Sequence, residues 1–266
     1  MAVELYRGGN HICLAFHDLV EEQGDSPIQC NQFLVIDDGE AALIDPGGGM
    51  TYNALLLAMQ KFVPTRDLKY ILASHTDPDV IASVNRWFVS TPCRLAISRL
   101  WGRFVPHFTT GNVNLGRIIG IPDEGGDIPL GKCALKAVPA HFLHSEGNFQ
   151  FYDPVSRILF SGDLGASLVP QELAGEPVRD FDAHLRFMVG FHRRYMASNR
   201  VCRFWANMAR SLDIAMIVPQ HGSRFEGRPM VERFIDWVEN LSCGVDLMTQ
   251  DNYRVPGSGF SGVNGA

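Results

Sequence analysis

Apolar positions along this chain follow two rhythms. The segments NQFLVIDD and EAALIDPGGG are short apolar runs around the turn Asp37-Asp38-Gly39-Glu40, and they predict two adjacent strands. TYNALLLAMQKF then spaces its apolar residues at helical intervals behind Thr51, a residue type that caps helices. KYILAS is a short continuous apolar run, as expected of a buried strand, and it leads directly into His75-Thr76-Asp77-Pro78-Asp79. VIASVNRWFV returns to the helical rhythm, and CRLAIS and CALKAVPA predict further strands. FQFYDPVSRILFSGD predicts a hairpin turning at Asp153-Pro154. A partly amphipathic helical stretch runs from about Arg179 to Leu212, followed by the strand AMIVP and a last helix around PMVERFIDWVENL.

Strands pair early in the chain and alternate with helices later. That order predicts sheets covered by helices in an α/β (α+β) fold, not a single parallel sheet of the dinucleotide-binding kind. The 266 residues show no repeat and no low-complexity linker, so one domain is expected over residues 1–252. The Gly/Ser-rich end, residues 253–266, reads as a flexible tail.

Composition narrows the function classes. Hydrophobic residues make up 46% and charged residues 20%, the balance of a soluble globular chain. The net charge of −6, with no basic stripe, argues against a nucleic-acid surface. The N-terminal stretch lacks the basic region and long apolar run of a signal peptide, and no segment approaches a membrane span. The six cysteines are scattered without a CxxC pair, mostly in apolar contexts. A cytoplasmic protein with free thiols is expected.

The candidate chemistry lies where apolar runs end. His75, Asp77 and Asp79 follow KYILAS, His144 follows CALKAVPA, Asp163 ends RILFSG, and His221 follows AMIVPQ. Loops at strand ends carry functional side chains on a rigid base. Imidazole and carboxylate gathered there suit a metal centre, whereas the unpaired cysteines do not suggest cysteine-based zinc binding. Taken singly, each residue is equally an ordinary turn or cap residue. Four such junctions together, in a chain with nine histidines, favour the metal.

This pattern, an HxDxD run followed by a later His, an Asp and a final His, resembles the ligand set of the metallo-β-lactamase superfamily. ALIDPGGG is similar to that superfamily's strand ending in an Asp-x-Gly turn. The acid at Asp77 resembles the di-iron branch, the flavodiiron proteins and the stand-alone oxygen-binding di-iron proteins, and so does HSEGNFQFYDPVSRILFSGD. The resemblance covers roughly residues 28–240. It implies an αββα sandwich holding two iron ions (Fe2+/Fe3+), with zinc or manganese as alternatives. By position, His75, Asp77 and His144 would hold one metal, Asp79 and His221 the other, and Asp163 would bridge them. His141 is the alternative third ligand. His144 is preferred because it lies 19 residues before Asp163 and matches the flavodiiron-like segment without a gap. Asp45 is either an acceptor orienting a ligand histidine or a plain turn carboxylate.

The chain departs from the flavodiiron pattern at two residues. Asp77 stands where Glu is usual, and Val80 stands where a further histidine is usual. The second departure leaves one metal a ligand short and implies an open position. No flavodoxin-like region follows, so fast multi-electron reduction would need an external donor. The resemblance therefore implies a dioxygen-binding sensor or carrier. An oxygen or nitric oxide reductase with a separate electron donor, or a di-metal hydrolase, is the alternative. If the chain is an enzyme, flavodiiron-like oxidoreduction fits better than hydrolysis, because hydrolases typically carry HxHxDH. Dioxygen is the implied ligand, with an external redox or signalling partner and a homodimer left open. His192 and Tyr195 on a helix are candidate hydrogen-bond donors to a metal-bound ligand, or simply packing residues. Asn148, Phe149, Phe151 and Tyr152 read as core and pocket wall. His11, His17, His107 and His184 read as surface or ordinary packing residues.

Overall fold

Period-two alternation explains why the apolar runs become strands buried on both faces. In the computed structural model, which describes residues 2–17, 19, 29–110 and 115–255, Gln32–Asp37 is fully buried. Its Phe33 and Val35 point into one apolar cluster, while Leu34 and Ile36 point into another. The same split separates Ala42 and Ile44 from Ala41 and Leu43 on the next strand. A strand covered on both faces reads as a continuous apolar run, as this one does.

The first sheet has seven strands in sequential order: β1 (Ala2–Gly8), β2 (His11–Phe16), β3 (Gln32–Asp37), β4 (Glu40–Ile44), β5 (Leu68–Leu72), β6 (Arg94–Ser98) and β7 (Ile118–Ile121). The second has six: β8 (Gly126–Leu130), β9 (Cys133–Pro139), β10 (Phe149–Asp153), β11 (Ile158–Phe160), β12 (Met216–Val218) and β13 (Phe225–Glu226). The first sheet is antiparallel through β4 and parallel from β4 to β7. The second pairs antiparallel except where β11 meets β12. One apolar cluster, including Phe33, Phe149, Phe151 and Phe160, lies between the sheets.

Helices α1 (Tyr52–Met59), α2 (Pro78–Ile81) and α3 (Val84–Ser90) cover the first sheet, with Leu55, Val84 and Trp87 in the shared cluster. Helices α4 (Phe181–Tyr195), α5 (Asn199–Ala209) and α6 (Arg228–Glu239) cover the second. In α6 the buried residues Val231, Phe234, Ile235 and Val238 form one helical stripe. The molecule is the expected αββα sandwich.

Two expected helices are each broken in two. The VIASVNRWFV segment is interrupted because the Ser83 hydroxyl donates to the Gly47 carbonyl (2.6 Å), tying the chain to the turn after β4. The stretch from Arg179 to Leu212 breaks at Met196, whose fully buried side chain joins the core while its backbone turns extended. Thr51 precedes α1 without capping it, since its hydroxyl donates to the Gly48 carbonyl instead. The tail expected over 253–266 lies outside the described residues from Pro256 onward. Among the described residues, no helix is long and apolar enough to cross a membrane.

Candidate metal centre

The C-terminal ends of β5, β9, β11 and β12 meet at one edge of the sandwich; β5 leads into His75, Asp77 and Asp79, β9 into His144, β11 into Asp163 and β12 into His221. Asp77 occupies the N-cap position of α2, where an aspartate ordinarily binds a backbone N–H. It makes no such bond. Its carboxylate turns instead toward His144 Nε2 (3.4 Å) and His75 Nε2 (3.7 Å). Asp163 Oδ2 completes this group, 3.1 Å from His144 Nε2 and 3.7 Å from His75 Nε2. One donor atom from each of these four residues lies within 4.8 Å of the others.

A second group adjoins the first. His221 Nε2 is 3.2 Å from Asp79 Oδ2 and 3.5 Å from Asp163 Oδ1. Asp163 thus presents one oxygen to each group. Cys30, whose Sγ is 3.8 Å from Asp79 Oδ2, joins Asp79 and His221 within the same 4.8 Å limit. The sequence gives no hint of Cys30, which precedes β3 outside any spacing pattern.

Each histidine that enters the centre is held by its far nitrogen or by the loop behind it. His75 Nδ1 donates to Ser74 Oγ (2.9 Å), and that hydroxyl donates to Asp45 Oδ2 (2.9 Å). The relay leaves the Nε2 lone pair aimed at the carboxylates. Asp45 therefore orients His75 through Ser74, not directly. Burial pushes its carboxyl up to about 6, although His75 and Ser74 oppose the rise. His221 Nδ1 donates to the Gln29 carbonyl (2.8 Å). The buried Asn148 amide donates to the Leu143 carbonyl and so braces the loop bearing His144. Asn148 supports the loop, a role more specific than the wall position expected of it. Phe191 and Tyr195 stack on each other and pack edge-on against the His144 ring.

Proximity of the acids to the imidazoles dominates the electrostatics. His144 and His75 hold the Asp77 carboxyl far below the usual carboxylate range. Burial works against ionisation of Asp163, yet the surrounding His144, His75 and His221 keep it down to about 2. In return, against the burial that lowers it, Asp163 and Asp77 raise His144 to about 9. Three buried atoms, His75 Nε2, His144 Nε2 and Asp163 Oδ1, have no hydrogen-bond partner although all face this cluster. Leaving such atoms unmatched is costly, and cations among them would satisfy all three. The donor set fits a pair of metal ions.

Other singled-out residues fall elsewhere. His141 Nε2 donates to the Asp123 carbonyl (2.9 Å) and takes no part in the cluster. His192 is fully buried, with Nδ1 donating to the Met188 carbonyl and Nε2 accepting from the Gly165 N–H, both at 2.8 Å. Both its nitrogens are occupied, so it is a packing residue. Val80 is fully buried among Ile81, Val84 and Trp87 in the helix-side core. His11, expected at the surface or in ordinary packing, is buried and bridges Asp37 (3.0 Å) and Asp153 (2.8 Å) at the opposite end of the strands.

Comparison with known proteins places this geometry. A family model described as ODP family beta lactamase matches residues 28–222. A solved structure of the peroxy diiron species of chemotaxis sensor ODP superposes with a TM-score of 0.82 at 36% identity, covering 92% of this chain and 97% of that chain. The apo state of chemotaxis sensor ODP from T. denticola gives 0.80, again at 36% identity, over 93% and 97%. Rubredoxin oxygen:oxidoreductase from Desulfovibrio gigas shares the fold, with a TM-score of 0.72 at 14% identity over 89% of this chain and 62% of that chain. An uncharacterised protein of Methanocaldococcus jannaschii is 25% identical over 230 residues, 83% of this chain. The chain spans 56% of the length of that relative. With the family model matching most of its residues, this chain belongs to the ODP family of β-lactamase-fold proteins.

Proposed function

We propose that this chain is a non-haem di-iron protein that binds dioxygen and acts as a sensor. The observation that carries the reading is Asp163, whose two carboxylate oxygens face two separate donor groups. A carboxylate so placed bridges two cations and offsets their repulsion. In this reading His75, Asp77 and His144 would hold one iron, Asp79 and His221 would hold the other, and Asp163 would serve both. Imidazole mixed with carboxylate accommodates both ferrous and ferric ions. Zinc and manganese accept the same donors, and elemental analysis of protein purified without added metal separates them.

Bound there as a pair, ferrous ions would supply the electrons and the Lewis acidity needed to hold dioxygen. The protein's own part is orientation. Ser74 and the Gln29 carbonyl fix His75 and His221 with their Nε2 lone pairs forward. Phe191 and Tyr195 cover the edge of His144 and limit water there. The sensing role follows the solved ODP structures, which are of a chemotaxis sensor. In this reading the chain works in the cytoplasm beside a signalling partner.

The test is anaerobic reconstitution with ferrous iron followed by admission of air. Two irons per chain and a visible ligand-to-iron charge-transfer band, reversed by removing the oxygen, are expected. Two bound irons without any such band would overturn the reading. Sustained oxygen consumption with an added electron donor, over many turnovers, would replace the sensor with a reductase.

A further inference from the structure

We propose that Cys30 is a protein ligand of the second metal, the one assigned to Asp79 and His221. The inference rests on the di-metal reading but not on what the metals bind. Cys30 Sγ lies 3.8 Å from Asp79 Oδ2, and the sulfur, that oxygen and a His221 ring nitrogen all fall within 4.8 Å of one another. An ion about 2.3 Å from sulfur and about 2.0–2.2 Å from oxygen, at a tetrahedral angle, separates the two donors by roughly 3.5 Å. The observed spacing needs only a slight opening of that angle. One ion therefore reaches all three side chains with little rearrangement.

The backbone fixes this position from both sides of Cys30. The Gln29 carbonyl accepts from His221 Nδ1 (2.8 Å). The Asn31 N–H donates to the Gln220 carbonyl (2.5 Å), and its side-chain amide donates to the carbonyls of Pro219 (3.0 Å) and Gly222 (3.1 Å). The contact that aims His221 thus also carries Cys30 to the same point. Burial alone does not account for the residue. Cys13, Cys93, Cys202 and Cys243 belong to the apolar clusters, whereas Cys30, though buried, belongs to none of them among the described residues.

The donor balance favours the same assignment. Without Cys30, the first ion has His75, Asp77, His144 and Asp163, and the second has only Asp79, His221 and Asp163. Val80 cannot help, because its side chain is committed to the helix-side core. With Cys30 the two ions have equal numbers of protein donors. Asp77, Asp79, Asp163 and the thiolate together then supply as much negative charge as two ferrous ions carry positive. The step is a proton exchange without redox change: the Cys30 S–H proton passes to solvent as the sulfur–metal bond forms.

Cobalt(II) reconstitution of the full chain under argon tests the assignment without involving dioxygen. Two cobalt ions per chain and a sulfur-to-cobalt charge-transfer band in the near ultraviolet are expected. The band should vanish in both Cys30→Ser and Cys30→Ala, with affinity for the second ion falling at least about tenfold. It should persist in Cys13→Ala, which controls for the other buried thiol lying beside a histidine. Two bound cobalts with no band in the unaltered chain, or a band lost with Cys13 and kept without Cys30, overturns the proposal. So does uptake of fewer than two ions. X-ray absorption at the metal edge on the unaltered protein gives the same decision, through the presence or absence of a sulfur neighbour, even if a variant fails to fold. A chain with the sulfur band but no response of its iron form to air would lose the dioxygen function and keep Cys30. The reverse pair of results would do the opposite.

Discussion

Ser74 does more than its size suggests. Its hydroxyl passes the orienting influence of Asp45 to His75, while its backbone N–H also donates to Asp45 (2.8 Å). Ser74→Ala keeps every proposed ligand and removes only the relay. Metal titration should show about 10–100-fold weaker binding at the ion held by His75, with the other ion little affected. Equal weakening of both would mean that the relay does not act through His75. The six proposed ligands were legible in the sequence because each lies in the short segment after an apolar run and their order matches the family's ligand pattern. Cys30 and His11 were not legible. Their partners lie far away in sequence, and proximity of that kind has no periodic signature.

At the scale of elements, the turns behind the site are built around residues that tolerate unusual backbone. Gly222 has φ +80°, and a Cβ there would lie 2.1 Å from Ser167 Oγ and 2.3 Å from its carbonyl oxygen. Gly162, at φ +56°, lets the loop after β11 approach Ser74, whose Oγ would be 3.1 Å from an added Cβ. Gly222→Ala should cost about 1–3 kcal/mol in denaturant unfolding of metal-free protein, through forced left-handed backbone and displacement of Ser167. Because Gly222 also follows His221, the same variant should weaken the metal beside Asp79 more than the metal beside Asp77. Strands covered on both faces, such as β3, β5 and β10, were readable as apolar runs. The strands β1 and β8 were not, since they lie partly exposed at sheet edges and mix polar with apolar residues. Helix breaks at Ser83 and Met196 were hidden for a related reason: a side-chain bond or a core contact overrides the periodic pattern.

Across the whole molecule, the sheets carry a buried ionic link at the end remote from the metals. His11 lies between Asp37 of its own sheet and Asp153 of the other. Burial lowers the His11 pKa, but Asp153 and Asp37 outweigh it and hold the group above its ordinary value. Burial likewise opposes ionisation of Asp153, but His11 and Ser156 hold its carboxyl below the ordinary value. The raised histidine contributes stability that is fully present below about pH 6.5 and is lost as pH rises through its folded value. The lowered aspartate contributes stability that is present above about pH 3.9 and is lost as pH falls through its folded value. Thermal melts of metal-free protein should therefore show this contribution in full between those limits. His11→Gln should remove about 3–5 kcal/mol and flatten the alkaline side of the profile. An unchanged alkaline side would show that His11 does not carry that dependence.

The proposed ligands come from both sheets, with His75, Asp77 and Asp79 following β5 and His144, Asp163 and His221 following strands of the second. Iron bound there would act as a rivet across the two layers, opposite the rivet that His11 already makes. Stripped of metal, that end of the sandwich is left with the Asn31 bonds to Pro219, Gln220 and Gly222 and the contacts between histidines and acids. The three acids at that end then meet the histidines with no cation between them. Metal at about a hundred times its dissociation constant should restore about 2.7 kcal/mol of stability. Hydrogen exchange on chelated protein should quicken first where β5, β9 and β11 run out, and last around His11. On this basis the molecule would register the iron supply as well as oxygen, because the same ions that bind the gas also fasten one end of the fold.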